Sequence, residues 1–146
     1  MAEKRPLALL AELAQERRDA AGRRLGRSLA ALKDSESRLA LLEGYRDEYK
    51  QRYARTGKSG AGPEELRNFR AFLERLDTAV TQQRAEVEAL ERGAIESRAR
   101  WLDERTRGKS LDVLTERADY AERASEARRL QKLLDEFSGR LAPQTQ

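Results

Sequence analysis

The 146-residue sequence contains no cysteine and no histidine. Without thiolate or imidazole, zinc, copper and haem lack their usual ligands. Ser-His and Cys-His nucleophile pairs are excluded, and so is a disulfide framework. Aromatics make up only 5% of the chain, and prolines number 3. No apolar run approaches the ~20 residues of a membrane span. The first residues, MAEKRPLALLAELAQERRD, meet charge too early for a secretory signal. These gaps set the expectations: not an enzyme, no cofactor, no metal and no direct membrane insertion.

What remains is charge and helix formers. Charged residues are 38% of the chain and apolar residues 38%. Ala, Glu, Lys, Leu, Arg and Gln dominate, the signature of long helices or a coiled coil. The net charge is +4. It is concentrated early, with 13 Lys/Arg against 9 Asp/Glu in residues 1–56 and 16 against 17 in residues 63–146. Such a balance permits an acidic partner without requiring one.

Turn formers cluster at one place, Thr56-Gly57-Lys58-Ser59-Gly60-Ala61-Gly62-Pro63. Pro63 followed by Glu64 and Glu65 suits a first helical turn. The expected fold is all-α: a long antiparallel two-helix coiled-coil hairpin forming a single domain over 1–146. Helix 1 is expected over about 4–56, the turn over 57–62 and helix 2 over about 63–139. A disordered tail is expected at 142–146, after Ala142-Pro143-Gln144 closes the helix.

The second arm carries a heptad. Leu66, Phe69, Leu73, Leu76, Val80, Gln83, Val87, Leu90, Ala94, Ser97 and Trp101 follow 3-4 spacing, broken only by Gln83 and Ser97. That pattern predicts a left-handed coiled coil, with the polar positions setting register. The first arm is looser, through Leu25, Leu32, Leu39, Leu42, Tyr49 and Tyr53, with Ser28 and Ser35 at d positions and alanines upstream. A turn centred near 59.5 would oppose Leu39 to Val80, Leu32 to Val87 and Leu25 to Ala94. Around residues 103–109 the seam fails, and Gly108 is an expected weak point or bend. Helix 2 outruns helix 1, and its overhang carries an apolar stripe of Leu130, Leu134, Phe137 and Leu141. A stripe without an internal partner points to an external one, or to a frayed end.

Three local patterns have both a functional and a plain reading. Gly57-Lys58-Ser59 resembles part of a phosphate loop, but position 52 is Arg and the preceding segment is helical, so the pattern fails. Arg17, Arg18, Arg23, Arg24 and Arg27 form either a basic contact surface or a solvated face balanced by Glu12, Glu16 and Asp19. No aromatic platform accompanies these arginines, so nucleic acid is not an expected partner. Tyr45, Tyr49 and Tyr53 stand opposite Phe69, Phe72 and Leu76, as an aromatic cluster at the tip or with Phe72 at the seam edge as a docking anchor.

Several segments, in order, carry a resemblance. They are Leu42-Glu43-Gly44-Tyr45-Arg46-Asp47-Glu48-Tyr49-Lys50, then Asn68-Phe69-Arg70-Ala71-Phe72-Leu73-Glu74-Arg75-Leu76, then Ala79-Val80-Thr81-Gln82-Gln83. Trp101, Lys132-Leu133-Leu134-Asp135-Glu136-Phe137 and the Met1-Ala2-Glu3 start complete the set. Over essentially its whole length the sequence resembles the flagellar export protein family FliJ. The resemblance implies a stalk-like hairpin that enters and promotes assembly of a hexameric export ATPase of the FliI type. It further implies contact with an export gate of the FlhA type and escort of flagellar export chaperones. It implies a cytoplasmic protein peripherally associated with the inner-membrane export apparatus. Phe72, Leu76 and Ala79 look like the gate-contacting patch, with Gln83 where some relatives carry His. The ends, including Arg17, Arg18, Arg23, Arg24, Leu130, Leu134 and Phe137, look like the ATPase-facing part. The alternatives are the analogous stalk of a virulence-type secretion system, a scaffold that homodimerises through the Leu130–Leu141 stripe, and a basic rod for nucleic acid.

Overall fold

A computed structural model describes residues 4–141. Two α-helices account for nearly all of them: α1 (Lys4–Lys58) and α2 (Pro63–Leu141). No strand occurs among the described residues. The expected tail at 142–146 lies outside them. The helices contribute to two compact units: residues 21–101, and residues 1–20 with 102–146.

The unit of residues 21–101 is the antiparallel hairpin, and its turn explains its register. Ser59 N–H donates to the Arg55 carbonyl at 3.0 Å, and Ala61 N–H reaches back to the Thr56 carbonyl at 3.4 Å. Gly60, between them, has φ of 77°. A left-handed residue followed by this long backward bond is the Schellman termination, and glycine suits it because it has no Cβ to clash. Leu66 N–H then donates to the Gly62 carbonyl at 3.1 Å, opening α2 with Pro63 in its first turn.

All eleven heptad positions from Leu66 to Trp101 are half-buried or buried on α2, and Leu73, Val80, Val87, Ala94 and Ser97 are enclosed. Val80 is the largest side chain wholly removed from water. Burial of that size contributes about 1.5–3 kcal/mol. On α1, Leu25, Leu32, Leu39 and Leu42 are half-buried, as are Leu66, Phe69, Leu90 and Trp101 on α2. Each thus keeps one edge wet, as a two-stranded seam requires.

The polar seam positions satisfy one another. Ser28 Oγ and Ser97 Oγ are 3.0 Å apart. Gln83 Nε2 donates to Ser35 Oγ at 2.8 Å and to the Ser35 carbonyl at 3.1 Å. Ser35 Oγ in turn donates to Glu86 at 3.3 Å. Pairing of this kind removes the penalty of burying polar groups and holds the helices in one register.

That register departs from the one expected for a turn centred at 59.5. Near the tip the agreement is close, with Tyr49 against Phe69 and Phe72. Farther down, the Trp101 indole lies 3.4 Å from where a Cβ on Gly22 would stand. That partner sits about one helical turn later on α2 than expected. Because α1 continues to Lys58, the reversal is centred on Gly60 and Ala61, which accounts for about two residues of that offset.

In the second unit, residues of the N-terminal arm and of α2 beyond Trp101 pack together. Ala14 is enclosed and Leu7, Ala11 and Arg18 are half-buried. On α2 the covered positions are Glu104, Gly108, Leu111, Thr115, Ala118, Glu122 and Ser125, again in 4-3 spacing. The seam therefore does not fail at 103–109. Gly108 is not a bend but an enclosed helical residue, with the Arg18 guanidinium 3.4 Å from where its Cβ would be. The absence of a side chain makes room for the arginine. From Glu126 to Leu141 every residue is exposed.

Candidate functional site

Two surfaces collect the residues singled out from the sequence. The first is the aromatic patch beside the turn. Tyr49 packs at 5.8 Å from Phe69 and 4.5 Å from Phe72, and Tyr53 packs at 6.5 Å from Phe69, all tilted. Arg52 stands over the Tyr49 ring at 5.7 Å. Tyr45 does not join the cluster and is exposed. Phe72 keeps 39% of its surface accessible while resting one edge on Tyr49. Leu76 and Ala79 are half-buried on the same helix.

Gln83 differs from these three. Its amide is spent on Ser35, so it belongs to the seam. Beside it, Arg84 bridges to Glu43 across the helices at 3.2 Å. Both groups are well exposed, so the pair adds orientation more than stability.

The second surface lies in the unit that contains the ends. Leu130, Leu133, Leu134, Phe137 and Leu141 are between 50% and 66% exposed. The sequence also hid apolar surface here: Leu9, Leu10, Leu13, Val113, Leu114 and Tyr120 are exposed. Val113 and Tyr120 are seven residues apart, a spacing that could have flagged a second stripe. Of seventeen exposed large apolar residues among those described, twelve belong to this unit. Patches of this kind mark protein contacts.

The four arginines singled out with this surface are not equivalent. Arg17 and Arg18 belong to this unit, whereas Arg23 and Arg24 belong to the unit of residues 21–101; Arg17, Arg23 and Arg24 are exposed. Arg18 instead folds over Gly108 and donates to the Gln15 side chain. The guanidinium is thus held against α2 and is not directed wholly outward.

Among the described residues, no group of three or more acidic, His or Cys side chains is placed to hold a metal. No described helix is long and apolar enough to cross a membrane. Two long helices packed against each other, with no strand among the described residues, define the class: an all-α helical hairpin.

The particular family follows from comparison. The chain belongs to the family described as Flagellar FliJ protein, whose sequence model matches residues 3–146. It is 29% identical over 142 residues to the Flagellar FliJ protein of Escherichia coli (strain K12), covering 97% of both chains. To the Flagellar FliJ protein of Salmonella typhi it is 27% identical over 142 residues, again covering 97% of each.

Proposed function

We propose that this chain is a non-enzymatic, stalk-like component of the flagellar type III protein export apparatus. In this reading it binds an export ATPase ring and promotes its assembly, touches the export gate, and escorts export chaperones. It acts on the cytoplasmic face of the inner membrane, held there by its partners and not by a span of its own.

The observation that carries the reading is the uneven placement of apolar surface. Twelve exposed large apolar residues lie in the unit holding the chain ends, and the α2 segment from Glu126 to Leu141 is exposed on every side. A helix that is apolar in part and wet all round gains most by entering a partner. Leu130, Leu134 and Phe137, with Arg17, Arg23 and Arg24, are the residues assigned to the ATPase. Phe72, Leu76 and Ala79 are assigned to the gate. Gln83 acts indirectly, by holding Ser35 and the local register.

The test is the hydrolysis rate and oligomeric mass of the cognate export ATPase with and without the chain. Faster hydrolysis together with a hexamer-sized complex is expected. No change in either, from a well-folded helical chain, would sink the stalk reading.

A further inference from the structure

Within residues 21–101 an open groove runs alongside the seam, away from the aromatic patch. Leu25, Leu29 and Leu32 form its α1 wall, and Glu91, Ile95 and Arg98 stand on its α2 wall. Ile95 is 70% exposed and Leu29 50% exposed. Neither is covered by anything in the chain, although both fall in the best-packed heptads of the hairpin.

The arrangement of these six residues reads the same from both ends. On α1, Leu29 has a leucine one turn before it and another one turn after. On α2, Ile95 has an acid one turn before it and a base one turn after. Glu91 and Arg98 make no ion pair within the chain among the described residues. A surface that is apolar at its centre and carries opposite charges four residues before and three residues after it nearly complements itself when turned by half a rotation. This is the requirement for an isologous two-fold contact. A partner of another sequence would impose no such symmetry.

We infer that this groove binds a second copy of the chain, face to face and antiparallel, about a two-fold axis passing through Leu29 and Ile95. Ile95 meets Ile95 of the partner subunit, and Leu29 meets the partner's Leu29. Leu25 packs on the partner's Leu32. Glu91 pairs with Arg98 of the partner subunit, and Arg98 with the partner's Glu91. The contact spans about 10 Å along each helix, seven residues at 1.5 Å. It is well below the roughly 800 Å² per partner of a stable interface, so the dimer is weak and transient. The inference does not depend on the export reading.

Sedimentation equilibrium of the full chain from about 5 to about 500 µM tests it. The mean mass is expected to rise toward that of a dimer. Glu91→Arg and Arg98→Glu each set like charges together and should weaken association about tenfold, whereas the double swap E91R/R98E restores it to within about twofold. Ile95→Glu should abolish it without loss of helix content, because the side chain is already exposed. The chain contains no cysteine, so Ile95→Cys provides a single thiol, expected to give covalent dimers on mild oxidation. Four results would overturn the proposal. One is a monomer at every concentration. A second is a double swap as weak as the single swaps. A third is a dimer lost in Leu134→Glu but kept in Ile95→Glu, which would place self-association at the C-terminal stripe. The last is a monomer whose binding to the export ATPase or gate is lost with Ile95→Glu, which would give the groove to that partner.

Discussion

Gln83 donates its single side-chain amide nitrogen to two oxygens of one residue, the hydroxyl and the carbonyl of Ser35. Ser35 is 3% exposed, so this is a polar clamp inside an apolar seam. Ser35→Ala removes one of the two acceptors and leaves Glu86 without its donor. It should lower stability by about 1 kcal/mol in urea unfolding. Ser35→Val with Gln83→Leu replaces the whole clamp with apolar surface and should recover or exceed the original stability. The same double variant should lose its unique register, read by paramagnetic distances between labels on α1 and α2.

The tip patch separates binding from folding. Phe72 is 39% exposed and rests on Tyr49, so Phe72→Ser should cost about 1 kcal/mol of stability. With Leu76→Ser added, gate affinity should fall at least tenfold while circular dichroism keeps nearly all its helical signal. Loss of the helical signal in that pair would mean the residues are core, and the docking role would fail.

Gly44 in α1 and Gly60 in the turn both have open space around them and differ in backbone conformation. A Cβ at Gly44 would meet nothing within 4 Å, so Gly44→Ala should stabilise by about 0.5–1 kcal/mol through helix propensity alone. Gly60→Ala places a Cβ in a left-handed residue with φ of 77° and should destabilise by about 1–2 kcal/mol. Differential scanning calorimetry should therefore move Tm in opposite directions for the two.

At Gly108 a Cβ would just touch the Arg18 guanidinium, so only a larger side chain forces it to move. Gly108→Leu must displace the Arg18 guanidinium that crosses it. Amide hydrogen exchange should speed up in residues 7–18 and 104–125, with residues 66–97 little affected. Equal loss of protection throughout would show that the two units unfold as one.

Truncation after Ser125 removes only residues that pack on nothing within the chain, as far as Leu141. The unfolding midpoint should stay within about 2 °C. Stimulation of the export ATPase should be lost. A truncated chain that still stimulates would move the contact to Leu9, Leu10 and Leu13.

Much of the hairpin was legible because hydropathy marks it. Nine of eleven seam positions from Leu66 to Trp101 are apolar, and their spacing alone names the helix face. Beyond Trp101 the same spacing continues through Gly108, Thr115, Ala118, Glu122 and Ser125. These residues are small or polar, so the pattern has no hydropathy signal and the seam looked broken. Arg18 escaped for the same reason, since a charged residue reads as outward until the glycine beneath it is seen. Part of the register offset follows from where α1 stops, which the Gly60 cap decides. Of the proposed contact surface, the C-terminal stripe was visible in sequence. The exposed apolar residues on the N-terminal arm were not, because Leu9, Leu10 and Leu13 look equally suited to a buried face.

Among the described residues, Val80 is the one side chain of its size that is almost wholly removed from water. A protein with so thin an interior has little to expose when it melts. Its denaturant slope and its heat-capacity change should both be small for its length, because each follows newly wetted area. Heating should produce a broad, shallow transition instead of a sharp one. The same thinness makes the chain forgiving: most positions face solvent, and a change there disturbs no neighbour. Its shape is stored in the spacing of a few small contacts, and the rest of the sequence is free to serve whatever the surface must meet.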